Sequence, residues 1–93
     1  MIELVFEFLG TLIFFFVILN VGQPIAIAAA FLGAVFFAAS ISGAHFNPGV
    51  TFLMWLVGKI QSVTAIQYVI SQLLAAATVV YLSRLVTVPA SVV

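Results

Sequence analysis

Three long apolar runs fill most of this 93-residue chain, and its charged side chains are Glu3, Glu7, Lys59 and Arg84 alone. With 67% of the residues hydrophobic, no ordinary water-facing surface can be assembled, and lipid is the solvent that such a composition requires. A bilayer core of roughly 30 Å asks for about 20 apolar residues per spanning helix, so the three runs leave no room for a soluble domain within this sequence. The chain reads as an all-α, multi-pass integral membrane protein, a single unit over residues 1–93. It has no cysteine and a formal net charge of zero, which gives no disulfide framework, no thiolate metal site and no basic face for nucleic acid. A secretory signal is disfavoured as well, because Glu3 and Glu7 lie in the opening run and no Lys or Arg precedes it. The first apolar segment is expected to be a permanent helix.

Glycine and proline divide the sequence. A first helix is expected over about residues 2–21, stopped by Asn20, Gly22, Gln23 and Pro24. A second is expected over about residues 24–40, with Pro24 in the first turn, where a missing N–H costs nothing. Ala26, Ala30, Ala34 and Ala38 recur every four residues beside Ala29 and Gly33, a small-residue face that predicts close contact and a central place in the bundle. The stretch over about residues 41–57 is polar and glycine-containing at first, then apolar, and is too short to span. Asn47 as cap and Pro48 as first helical residue make a good helix start, so this stretch reads as a re-entrant loop and half-helix. A third long helix follows over about residues 63–86, and the tail after Pro89 is expected to fray. Lys59 and Arg84 then fall on opposite sides of the membrane, leaving the orientation bias close to zero.

A half-helix inside a membrane survives only where its free N–H groups and the irregular backbone before it are buried in protein or line a watery cavity. That points to a pore or a binding site. The helix dipole adds partial positive charge at Asn47, which disfavours cations there and favours the oxygen of a neutral or anionic solute.

The run SGAHFNPGVT over residues 42–51, together with Glu7 and Thr11 in EFLGT, Lys59 after the half-helix, and Tyr68 and Gln72 in YVISQ, resembles the major intrinsic protein family, the aquaporins and aquaglyceroporins. The likeness is to their first repeat of helix, helix, re-entrant half-helix and helix, and it covers nearly the whole chain. The resemblance implies that Asn47, Pro48 and Gly49 form the pore motif, with the Asn47 amide aimed into the pore. It implies that the carbonyls of Gly43, Ala44 and His45 form a ladder of acceptors for passing solutes. Glu7 and Gln72 would hold the loop through buried hydrogen bonds, with Thr11 as a further loop-supporting residue. A donor at a dipole end beside a row of acceptors can guide single-file water or a polyol while repelling protons and cations. An ionisable Glu7 within a helix needs such partners.

Plainer readings stand beside these. Glu7, within two turns of the N-terminus, could simply reach the headgroups; His45 alone is as readily a structural histidine as a ligand; Gln72 is as readily generic interhelical glue. Phe6, Phe8, Phe14, Phe15, Phe16, Phe36 and Phe37 read as lipid-facing or core side chains. The motif departs from the family's usual Asn-Pro-Ala by having Gly49, a change expected to weaken the half-helix by up to roughly 1 kcal/mol and to loosen its cap. The connection between the first two helices is short, so the aromatic filter position falls on Phe31 if a gap is allowed and on Ile27 if it is not; Phe31 is favoured.

The family's second repeat has no counterpart in these 93 residues. A complete pore would need another copy in the opposite orientation, a complementary half-channel chain, or further sequence. The leading expectation is therefore passive conduction of water or a small neutral solute by paired halves, without cofactor or metal. The competing expectation is a non-conducting structural subunit of a larger membrane assembly. An enzyme is disfavoured, because one His, two Glu and no Cys supply no nucleophile with an oriented base.

Overall fold

The computed structural model describes residues 1–86 as four helices, α1 (Ile2–Asn20), α2 (Pro24–Ser42), α3 (Pro48–Leu56) and α4 (Ser62–Val86). The tail after Pro89 lies outside the described residues. At a rise of 1.5 Å per residue, α1 and α2 are each about 28 Å long and α4 about 38 Å, whereas α3 is about 14 Å, half a bilayer core. Three of the helices are long and apolar enough to cross a membrane. The boundaries follow the sequence reading to within two residues. α2 continues to Ser42 because Gly43 supplies the left-handed C-cap at φ 86°, its N–H closing on Ala39 O.

α1 sits between α2 and α4, and α3 rests on α4. This corrects the expectation that α2 is central. Small residues signal a close contact but not how many neighbours share it. Ala34 and Ala38 are buried, packed with Phe46 and Phe6, whereas Ala29 and Gly33 face an apolar groove shared with α1. α1 and α4 run parallel: Ser71 Oγ donates to Leu4 O at 3.0 Å, and Asn20 Nδ2 donates to Ser83 Oγ at 2.8 Å, sixteen and twelve residues further along the two helices. α2 runs back between them in sequence, so α4 must restart on the side where α1 began. α3 makes that return. Phe46, just before α3, packs against Gly10, the ninth of the nineteen residues of α1, so α3 begins near mid-depth and runs outward to the start of α4.

The distribution of side chains is inverted relative to a water-soluble protein. Glu7, Thr11, Ser42, His45, Thr51, Ser71, Gln72 and Ser83 are buried, while Phe36 and Phe37 are 81% and 79% exposed. Phe6, Phe8, Phe14, Phe15 and Phe16 are half-buried along α1. Lipid is the solvent for this surface, and the chain is a multi-pass integral membrane protein.

Candidate functional site

The loop between α2 and α3 is organised by one carboxylate. Glu7 is fully buried, and its side chain turns inward instead of reaching the headgroups. Oε1 accepts from the Phe46 N–H at 2.9 Å and from Gln72 Nε2 at 3.0 Å; Oε2 accepts from Ser42 Oγ at 2.7 Å and from the His45 N–H at 3.0 Å. Hydrogen bonds to a carboxylate are worth roughly 1.5–3 kcal/mol each, and full burial in protein shields these. Gln72 Nε2 also donates to Thr51 Oγ1 at 2.9 Å. Both amide hydrogens are thereby used, which ties α1, the loop and α3 to α4. One turn earlier on α4, the Tyr68 hydroxyl donates to Ser42 O at 2.8 Å.

His45 Nδ1 lies 2.8 Å from Thr51 Oγ1. Since Thr51 already accepts from Gln72, its single hydroxyl hydrogen is free to donate to Nδ1, which fits the tautomer with its proton on Nε2. The His45 ring meets Tyr68 edge-on, with centroids 5.0 Å apart. These contacts hold the His45 ring between Thr51 and Tyr68.

Gly43, Ala44 and Phe46 have φ of 86°, 53° and 56°. A left-handed conformation costs roughly 1–2 kcal/mol for a residue with a Cβ and persists where the surroundings over-determine it. Here three successive N–H groups do so: Ala44 donates to Ser42 Oγ at 3.1 Å, and His45 and Phe46 donate to Glu7. No peptide bond among the described residues is cis, and in a trans peptide the carbonyl of one residue points opposite to the N–H of the next. The carbonyls of Ala44 and His45 therefore turn away from Glu7, and that of Gly43 turns away from Ser42 Oγ, which itself donates to Glu7. The Phe46 ring is fully buried and occupies the space where a Cβ on Gly10 would stand.

Asn47 follows, exposed and extended, with Oδ1 accepting from the Gly49 N–H at 2.6 Å. Because that contact needs the oxygen, Nδ2 faces away from α3. The cap is thus closed with glycine at position 49. A Cβ at position 49 would lie 3.0 Å from Oδ1, so glycine leaves room for the short approach.

Such a buried carboxylate, capped half-helix and turned-out loop arise where sequence comparison also points. The profile of the major intrinsic protein family matches residues 1–93. The chain belongs to this family. Aquaporin Z of Photorhabdus laumondii is 39% identical over 64 residues, covering 66% of this chain and 28% of the relative. Glycerol uptake facilitator protein-like 6 of Lactiplantibacillus plantarum is 39% identical over 79 residues, covering 75% and 37% respectively. Aquaporin TIP2-3 of Zea mays is 43% identical over 67 residues, covering 72% and 27%. The chain thus spans well under half the length of these major intrinsic proteins. No solved structure matches it.

Two expected members of the site behave differently from the rest. Thr11 is fully buried, but its hydroxyl makes no hydrogen bond among the described residues, because the loop meets α1 through Glu7 and Gly10. Phe31 packs its ring against Phe14 at 5.0 Å and is 42% exposed, a turn beyond the level of Gly10; Ile27, half-buried, lies a turn further. Ser42, Thr51, Gly10 and Phe46 carry the loop without having been given a role in advance, and Tyr68 entered only as part of the YVISQ match. Tyr68 and Gln72 share a face at a spacing of four, which is the signal that pairs them. Nothing in local pattern joins Gly10 to Phe46.

Proposed function

We propose that this chain is one half of a pore for passive conduction of water or a small neutral solute, completed by a complementary half-channel or another copy. The observation that carries the reading is the sidedness of the loop. Three successive carbonyls, from Gly43, Ala44 and His45, turn away from Ser42 and Glu7 and lead to Asn47, whose Nδ2 turns away from its own helix. A row of acceptors ending in a donor lets a water or hydroxyl exchange its hydration bonds one at a time, and the positive end of α3 opposes a cation at the same point. No covalent step is involved. Relatives named aquaporin and glycerol uptake facilitator protein-like support the same class of solute.

A second reading is a non-conducting structural subunit of a larger membrane assembly. It rests on the apolar groove between α1 and α2, lined by Leu9, Ile13, Ala29 and Gly33, a shape suited to an apolar helix.

Stopped-flow light scattering on proteoliposomes separates the two. Asn47→Asp keeps an acceptor for the Gly49 N–H and removes the donor. Faster shrinkage than empty vesicles, reduced about tenfold by Asn47→Asp, is the outcome expected of a pore. Shrinkage no faster than empty vesicles, with the chain verified as inserted, leaves the structural reading.

A further inference from the structure

Gly10 and Phe46 are matched in size. Phe46 is fully buried, and its ring atoms Cε1 and Cζ occupy the place where a Cβ on Gly10 would be. Glu7 and Gly10, three residues apart on α1, share a helix face, so one helix grips a single loop residue twice: Glu7 Oε1 holds its N–H at 2.9 Å and Gly10 receives its ring. Phe6, Ala34 and Ala38 form an apolar cluster with that ring. His45 and Asn47 are its immediate neighbours in the chain.

We propose that Gly10 and Phe46 are positioning residues for the solute path, with the missing Cβ at position 10 setting how deeply the Phe46 ring seats. That depth fixes where the His45 carbonyl and the Asn47 amide stand, and so governs discrimination between water and larger neutral solutes. The inference rests on the pore reading above. Neither residue touches solute. A methyl group at position 10 overlaps the ring and forces it out to at least the 3.4 Å of ordinary contact. The short tether to Asn47, itself bonded to Gly49, passes that displacement to the amide.

The test uses the whole chain in proteoliposomes as wild type, Gly10→Ala, Phe46→Leu and the double variant, since leucine removes the ring atoms that clash. Osmotic water permeability and glycerol permeability are measured per inserted chain. The side-chain amide resonances of Asn47 are followed by solid-state NMR in the same bilayers, with Asn20, the other asparagine, as internal reference. Gly10→Ala is expected to move the Asn47 resonances while sparing those of Asn20, and to change the water-to-glycerol ratio by about threefold or more. The double variant is expected to return both to the values of Phe46→Leu. A purely structural loss lowers both permeabilities by one factor and leaves the ratio fixed; that result, or a double variant that keeps the Gly10→Ala values, overturns the proposal. Should the wild type conduct neither solute, the pore reading fails on its own, and unmoved Asn47 resonances in Gly10→Ala would separately overturn the seat.

Discussion

The two halves of α1 are held by different means. Along residues 3–11 the helix meets its neighbours through a buried carboxylate with four donors, the seat for Phe46, and a bond from Ser71 to its backbone. Along residues 12–20 the contacts are apolar, ring against ring for Phe14 and Phe31, with Asn20 as the polar link to α4. Lipid tails are as apolar as the side chains they replace, so burying a leucine between helices gains little over leaving it in lipid. Hydrogen bonds away from water are the interactions that single out one arrangement. The first half therefore fixes a loop, whereas the second keeps helices together without dictating detail.

The contrast can be broken most directly at its centre. Glu7→Gln keeps the size of the side chain but leaves one oxygen for four donors and turns an NH2 group toward two of them. Each buried donor left without a partner costs about 1–3 kcal/mol, so a loss of roughly 2–6 kcal/mol is expected. Unfolding in mixed micelles measures the loss, and hydrogen exchange at the His45 and Phe46 amides should accelerate with it. A loss below about 1 kcal/mol would remove the distinction between the two halves.

A smaller effect is expected at the other end. Asn20 Nδ2 donates to Phe16 O at 3.1 Å and to Ser83 Oγ, and Asn20→Leu removes both bonds while adding apolar surface toward lipid. Interhelical polar contacts in membranes average about 0.6 kcal/mol, so a loss of roughly 0.5–1 kcal/mol is expected in the same unfolding measurement, with exchange at residues 45 and 46 unchanged. Accelerated exchange at the loop would show that the two ends are coupled through α1.

The same contrast governs what can be read in advance. Apolar length and the punctuation by Gly22, Pro24 and Pro48 are enough to find three spans and a half-helix, because lipid solvation imposes length directly. Asn47 and Pro48 announce a helix start by local chemistry alone. Long-range partners carry no such imprint. Gly10 looks like any small residue in an apolar run, and the left-handed backbone of Phe46 is adopted only because Glu7 and Gly10 hold it. The alanine face of α2 likewise reports a close contact without saying that α1, and not α2, lies between two helices. Thr11 shares the helix face of Glu7, yet its buried hydroxyl makes no hydrogen bond among the described residues, a difference that spacing cannot reveal.

The finest probe lies where the polar cluster meets the exposed edge of the loop. Gly49→Ala restores the residue usual in the family motif and sets two effects against each other. Alanine favours helix by up to about 1 kcal/mol in a helix interior, and by less in the first turn, where Gly49 sits. Against this, the new Cβ would stand 3.0 Å from Asn47 Oδ1, closer than ordinary contact, and Asn47 must yield by a few tenths of an ångström. Asn47 is exposed, with its side chain bonded only to the Gly49 N–H among the described residues, so it has room to do so. The propensity gain should therefore prevail, and a rise in stability of at most about 0.5 kcal/mol is expected in thermal unfolding followed by far-UV circular dichroism. A loss instead would mean that Asn47 cannot shift. The grip of Glu7 and Gly10 on Phe46 would then extend one residue further, and the direction of the amide would be as firmly set as the loop behind it.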